Sequence, residues 1–184
     1  MSVLRKKPVA ILIAALIVVL STLIGARTSL SRTSGEVEEL FYSGVEYDGY
    51  VHSSIASQLT KRAEAANGLL SVGRAHDLNS ECTALAQARE ELMAGGTISV
   101  QYLNDVALEK AFAVLQAALG KCALTERETA AVETYVSTFN NAAHVIGASG
   151  YNDAVRKAYS STFGRFPANV LCSVTGVKAP QYFS

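Results

Sequence analysis

The chain has no tryptophan and only three prolines among its 184 residues, and charged residues make up only 17% of it. Hydrophobic residues, many of them alanine, supply 49%. A composition poor in proline and rich in alanine favours packed helices over sandwiches with frequent turns. It therefore predicts an all-α fold, and the length beyond the first residues is enough for one domain with a real core.

A surplus of positive charge is also missing. The formal net charge is zero, and from Arg27 onward 13 basic residues stand against 16 acidic ones, a balance of −3. Proteins that bind nucleic acids depend on cationic contacts to phosphates. The chain carries no basic stripe of that kind, so we expect no nucleic-acid partner.

Cysteine is scarce and widely spaced, at Cys82, Cys122 and Cys172, with no CxxC and no nearby pair of histidines. This excludes a zinc site and a disulfide framework. We expect the cysteines to behave as small hydrophobes in helix cores. A single disulfide between two of them stays open, because a location outside the cytoplasm would permit it.

Catalytic and ligand-binding motifs are absent as well. No Gly-x-Ser-x-Gly, phosphate loop or dinucleotide fingerprint occurs, and His52, His76 and His144 fall on different predicted elements without metal-ligand spacing. Paired carboxylates such as Glu90 and Glu91 fall on predicted solvated helix faces. We therefore predict no catalytic residue, no cofactor, no metal ligand and no enzymatic activity.

One long apolar run is present, over residues 8–26, and it contains no charged side chain. A helix over this run is about 28 Å long, close to a hydrocarbon core of about 30 Å. A cleaved signal peptide has a shorter apolar region, of about 7–15 residues, and ends in a small-x-small site, which Ile24 spoils here. The run is predicted to be a retained transmembrane anchor, with a cleaved signal or a buried core helix as alternatives.

The flanks of the run predict its orientation. Arg5, Lys6 and Lys7 precede it without an acidic residue, and basic residues beside a span are retained in the cytoplasm. Residues 1–7 are thus predicted to be a cytoplasmic tail. The C-terminal domain is predicted to be extracytoplasmic, in a single-pass protein of the cell membrane. Residues 27–35 are predicted to be a juxtamembrane linker or the continuation of the membrane helix.

Residues 36–184 carry apolar positions at helical spacing, which predicts an up-and-down bundle of about four long helices. The first covers 37–69, although its glycines could break it, the second 78–93 and the third 108–119. A capping box at Thr125 and Glu128 opens the next helix. Its pattern continues, with glycine interruptions, to Pro167, and the remaining residues are predicted to be an ordered, non-helical tail.

The C-terminal third contains an ordered set of residues that resembles the closing signature of the LemA family. The residues are Tyr151, Asn152, Val155, Arg156, Tyr159, Phe166, Pro167, Gly176, Tyr182 and Phe183. A weaker echo occurs around Gln58 to Arg62. The chain departs from the pattern at Val177, where the family usually has phenylalanine, so it resembles a divergent member.

The resemblance implies a bacterial, membrane-anchored helical bundle with coiled-coil-like helices at the cell envelope, in a family without an agreed activity. We expect a non-enzymatic interaction or scaffold role, with the membrane and other membrane or envelope proteins as partners. A sensor or ligand-binding ectodomain is the alternative, and an enzyme subunit is a third. The aromatic motif residues are expected to fill one end of the bundle, the alternative being a partner-binding patch.

Overall fold

The computed structural model describes residues 7–47 and 49–184, so the predicted cytoplasmic tail, apart from Lys7, lies outside the described residues. The helices are α1 (Lys7–Ser43), α2 (Ile55–Ala75), α3 (Asn79–Met93), α4 (Ile98–Leu119), α5 (Glu126–Gly147), α6 (Tyr151–Ala158) and α7 (Ala168–Thr175). A π-helical turn, Tyr159–Phe163, follows α6 directly. Strands β1 (Glu46–Tyr47) and β2 (Tyr50–Val51) form a short antiparallel pair. The predicted all-α class is confirmed.

The chain divides into two compact units. The N-terminal unit consists of the described residues up to Glu38 together with Ala154–Pro180. The central unit consists of Glu39–Asp153 and Gln181–Ser184. The N-terminal unit is discontinuous in the sequence, because the chain returns to it after α6 has begun.

Helix α1 contains the apolar run. From Val9 to Ser43 it is long and apolar enough to cross a membrane. No part of its most apolar stretch is buried. Leu12, Leu16 and Val18 are among the side chains that stay exposed along it. Residues 27–35 are helical and continue α1. The helix therefore extends from the apolar run into packed structure, where Leu30 and Phe41 are buried.

The predicted helix over 37–69 is wrong in its middle. Helix α1 ends at Ser43, the β1–β2 pair follows, and α2 begins at Ile55. Gly44 adopts a φ of +91°, and a Cβ there would lie 2.0 Å from the His52 carbonyl oxygen. Only glycine fits this close approach at positive φ, so the helix must end here.

Polar residues cap the central helices where the sequence changes from loop to helix. The side chains of Ser54, Thr97 and Thr125 accept hydrogen bonds from the backbone amides of Ser57, Val100 and Glu128 at the starts of α2, α4 and α5. The predicted capping box is confirmed, because the Glu128 carboxylate also accepts from the Thr125 amide at 2.9 Å. Each cap satisfies amides that have no partner within the helix.

Helix α2 forms the centre of the central unit and packs against α3, α4 and α5. Leu69, Leu85, Leu108 and Leu115, drawn from α2, α3 and α4, are fully buried. Gly73 lets these helices approach closely, since a Cβ there would lie 2.7 Å from the Cys82 Sγ and 2.9 Å from a methyl of Leu115. Its role is therefore packing, although glycine lowers helix propensity.

The core of the N-terminal unit is formed by α1, α6, the π-helical turn and α7. Leu30, Ala158 and Phe163 are its buried members, and Leu171 and Cys172 from one face of α7 pack against them. The predicted non-helical tail after Pro167 is wrong, because Ala168–Thr175 is helical. The preceding helical turn ends at Phe163, and Pro167 stands at the N-cap of α7, where its missing amide costs nothing.

We expect Gly73→Ala to lower the stability of the chain although it raises helix propensity. Overpacking of a filled core costs about 1–3 kcal/mol, which equals the propensity gain of about 1 kcal/mol at its lower end and otherwise exceeds it. Thermal unfolding followed by circular dichroism in detergent measures the effect. Gly147→Ala is the control, because nothing lies within 4 Å of its Cβ position. Equal melting temperatures for the two variants would contradict the packing role.

Candidate functional site

The motif residues at the end of the central unit form a clasp around the C-terminal segment. Asn152 donates from Nδ2 to the Phe183 carbonyl at 3.0 Å and accepts from the Phe183 amide at 2.9 Å. The Tyr151 hydroxyl donates to the Gln181 carbonyl at 2.7 Å. Asn152 thus pairs with Phe183 as a neighbouring strand would, and it holds the last residues of the chain against α6.

Aromatic rings close the apolar side of this clasp. The Phe183 ring lies 5.7 Å from Phe41 and 5.3 Å from Tyr102, centre to centre, and Phe41 also meets Tyr151 at 5.8 Å. The contacts with Tyr102 and between Phe41 and Tyr151 are edge-to-face, a geometry that aromatic pairs prefer. Phe41, Tyr151 and Phe183 are buried. Two aromatic residues of the motif, Tyr151 and Phe183, therefore pack in the core of the central unit.

The remaining motif residues lie elsewhere. Val155 is buried, Tyr159 faces Phe163 at 6.2 Å between ring centres, and Gly176 ends α7 with a φ of +70°, a conformation that glycine adopts without strain. Arg156 is exposed and Tyr182 is half-buried. Pro167 precedes α7. These residues belong to the N-terminal unit, except Tyr182.

Phe166 corrects the structural interpretation of the motif. The sequence suggests that this aromatic ring fills the core, but its side chain is 82% exposed, whereas Phe163, three residues earlier, is buried. Phe163 lies in the π-helical turn and points into the core, and Phe166 lies in the following turn, where helical spacing no longer applies. Phe166 therefore belongs to the surface.

A buried charge network lies between α2, α4 and α5. The Arg62 guanidinium, 2% exposed, pairs with the buried Asp105 carboxylate and reaches the exposed Glu109 carboxylate at 3.1 Å. Its Cζ lies 4.1 Å from the centre of the Phe139 ring, a cation–π contact. The Phe139 ring in turn stacks on Phe112 at 3.9 Å. A single α2 side chain thus contacts two neighbouring helices.

Burial affects the protonation of Asp105 in this network. It raises the pKa of the Asp105 carboxyl from 3.8 to about 6, although the Arg62 guanidinium opposes the rise. Among the described residues, Arg62 Nε and Asp105 Oδ1 are buried without a hydrogen-bond partner. Removing one partner of such a pair leaves an uncompensated charge and typically costs about 3–5 kcal/mol. We therefore expect the pair to favour the register in which it connects α2 and α4.

The sequence did contain a signal for Arg62. It lies between Leu59 and Ala66 on the three-four spaced apolar face of α2, and Asp105 and Glu109 are four residues apart on α4. A basic residue on a buried face requires an acidic partner. The pattern could not show which acidic residue that is, because the start of α4 at Ile98 was not predicted.

A groove of about 360 Å³ lies between α2 and α3, lined by Arg74, Asn79, Cys82, Gln87 and Glu90 among others.

Burial raises the pKa of the Cys82 thiol, so it stays protonated at neutral pH and is a poor nucleophile. The predicted core position of Cys82 is confirmed. Cys122 and Cys172 are half-buried, and all three thiols are free. Among the described residues, no group of three His, Cys, Asp or Glu side chains is placed to hold a metal ion.

Comparison with known proteins adds no relative. No protein-family model matches the chain, and neither a curated protein nor a solved structure matches it. The resemblance to the LemA family therefore rests on the motif residues themselves.

We expect Asn152→Ala to destabilise the chain by about 1–3 kcal/mol, because it removes two hydrogen bonds and leaves part-buried Phe183 groups unpaired. Thermal unfolding measures the loss, and carboxypeptidase digestion should release the last residues faster. The control is Asn141→Ala on the exposed face of α5, expected to change stability by less than about 0.5 kcal/mol. If both variants melt alike, the clasp contributes nothing.

We also predict a pH dependence from Asp105. Its pKa is higher in the folded chain than the ordinary 3.8, so its contribution to stability is complete below that value and is lost as pH rises past about 6. Asp105→Asn removes this titration. We subtract the unfolding free energy of the Asp105→Asn variant from that of the unchanged chain. This difference should fall as pH rises from about 4 to about 7.

Urea unfolding in detergent at a series of pH values measures this difference. Asn152→Ala serves as the control, since it is destabilised without the loss of a titratable group, and its pH profile should run parallel to that of the unchanged chain. A difference that is constant or that widens with pH would disprove the assignment to Asp105.

Proposed function

We propose that the chain is a non-enzymatic, single-pass membrane-anchored protein with an interaction or scaffold role at the cell envelope, similar to the LemA family. Helix α1 carries this proposal. The apolar stretch at its start is not buried, whereas two later residues of the same helix, Leu30 and Phe41, are buried in packed cores. Exposure of this apolar stretch to water has a free-energy cost that is proportional to its apolar area. Insertion into a bilayer removes that free-energy cost.

The course of α1 supports a retained anchor over a cleaved signal. The helix continues without interruption through Ile24, Gly25 and Ala26, where cleavage would have to occur. Proteases favour exposed irregular segments over helices. The basic residues Arg5, Lys6 and Lys7 favour an N-terminus in the cytoplasm, with the domain on the other side.

We further propose that α2 to α5 form an up-and-down bundle that presents surfaces to envelope partners. The connections 76–78, 94–97 and 120–125 are short, which favours antiparallel neighbours. The burial of Arg62 and of the leucines around it supports a filled interior. Anchoring would raise the concentration of this domain near other membrane proteins.

A ligand-binding ectodomain is the second candidate, and the groove between α2 and α3 favours it. Its volume falls at the low end of the range of about 300–1,000 Å³ for small-molecule sites. Arg74 and Glu90 offer charges of both signs to a small polar ligand. Protection of this groove by a soluble ligand, rather than recovery of protein partners, would favour this candidate over a scaffold.

Proximity labelling in intact cells tests the first candidate. Ser184 is exposed, so a labelling enzyme fused after it should leave the clasp at Phe183 intact. We expect labelled proteins from the membrane and the extracytoplasmic side. The matched control carries the enzyme at the N-terminus and should label cytoplasmic proteins. Cytoplasmic labelling from both ends would overturn the proposed orientation, and labelling no stronger than that of an unrelated anchor would overturn the interaction role.

A further inference from the structure

The N-terminal unit exposes an apolar patch on the outer face of α7. Phe166, in the turn before the helix, is 82% exposed, and Val170 and Val174, four residues apart on one helix face, are 49% and 62% exposed. The opposite face of α7 packs through Leu171 and Cys172. The helix is thus apolar on both sides, and the described structure covers only one of them.

The position of the patch along α1 indicates what covers the other side. Phe163 packs in the same buried cluster as Leu30, and Leu30 lies only four residues beyond the end of the apolar run at Ala26. Four helical residues extend about 6 Å. The headgroup layer of a bilayer is about 5–7 Å thick on each side of the hydrocarbon. The end of the cluster at Leu30 therefore lies at the level of the headgroups when α1 spans the bilayer, and from there the cluster extends away from the bilayer as far as Val37.

The charges of the two units are segregated in a way that suits a lipid surface. From Arg27 onward the N-terminal unit holds six basic and two acidic residues, whereas the central unit holds seven basic and 14 acidic ones. Residues 154–180 contain no acidic residue, and Lys157, Arg165 and Lys178 are exposed there. Anionic headgroups would attract such a surface in whichever leaflet they are present, because opposite charges within about a Debye length attract one another.

We infer that Phe166, Val170 and Val174 form a second membrane contact, in which the outer face of α7 inserts at the headgroup–acyl boundary and the surrounding basic residues bind anionic lipid. This inference rests on the proposed anchor. Interfacial segments combine aromatic and aliphatic side chains with Lys and Arg in this manner. The contact would hold the N-terminal unit to the bilayer at two places.

The absence of tryptophan from the chain allows a direct test. The full chain with Phe166→Trp, carrying one tryptophan, is reconstituted into bilayers of phosphatidylcholine and phosphatidylglycerol whose acyl chains are brominated at shallow or deep positions. Bromine quenches tryptophan on contact. We expect the fluorescence of the Phe166→Trp chain to be quenched more by shallow than by deep bromine, and more in bilayers with phosphatidylglycerol than in phosphatidylcholine alone.

Two matched variants separate this inference from the anchor. Leu16→Trp lies in the apolar run and should be quenched most by deep bromine, and Tyr50→Trp, 77% exposed in the central unit, should not be quenched. If Leu16→Trp is quenched and Phe166→Trp behaves like Tyr50→Trp, the second contact is overturned and the anchor stands. Absence of quenching at Leu16→Trp would overturn the anchor and the contact with it.

Two further outcomes also decide the matter. A blue-shifted Phe166→Trp emission without bromine quenching would show that a protein, such as a second copy of the chain, covers the patch, and would overturn the lipid contact. Equal quenching in bilayers with and without phosphatidylglycerol would overturn the role of the basic residues.

Discussion

The apolar first part of α1 exposes a long hydrophobic surface, and contact of such a surface with water is unfavourable. A hydrophobic surface of this length is incompatible with a stable soluble state unless something covers it. The described structure does not cover it, while it buries Leu30 and Phe41 farther along the same helix. One continuous helix therefore has an uncovered apolar part and a later part that contributes Leu30 and Phe41 to packed cores.

Within the central unit, the ion pair of Arg62 with Asp105 restricts how the helices can pack. Two buried charges are tolerated only when their geometry compensates for lost hydration, so α2 and α4 must meet in the register that brings them together. The Phe139 ring below the guanidinium adds α5 to this arrangement. Leucines could pack in several registers, whereas the charge pair permits few. The higher pKa of Asp105 shows that burial outweighs the attraction of Arg62.

The motif that carries the family resemblance has a structural role for some residues and leaves others at the surface. Asn152 and Tyr151 hold the backbone of the C-terminal segment, and Gly176 ends a helix that requires a positive φ. Phe166 has no such role, because its ring lies outside the core. A residue that contributes little to folding and exposes a large apolar surface is a better candidate for an interaction than the buried members of the same motif.

Local patterns by themselves determined the helical class, the apolar run of α1, and the capping box at Thr125 and Glu128. These features depend on neighbours within a few residues, which the sequence displays directly. Tertiary structure decided the partner of Arg62, the burial of Phe163 but not Phe166, and the pairing of Asn152 with Phe183. Those contacts join residues that are distant in the chain or lie on either side of a turn, where helical periodicity no longer specifies direction. The free energy that selects them comes from burial and charge compensation, which exist only once the helices have packed.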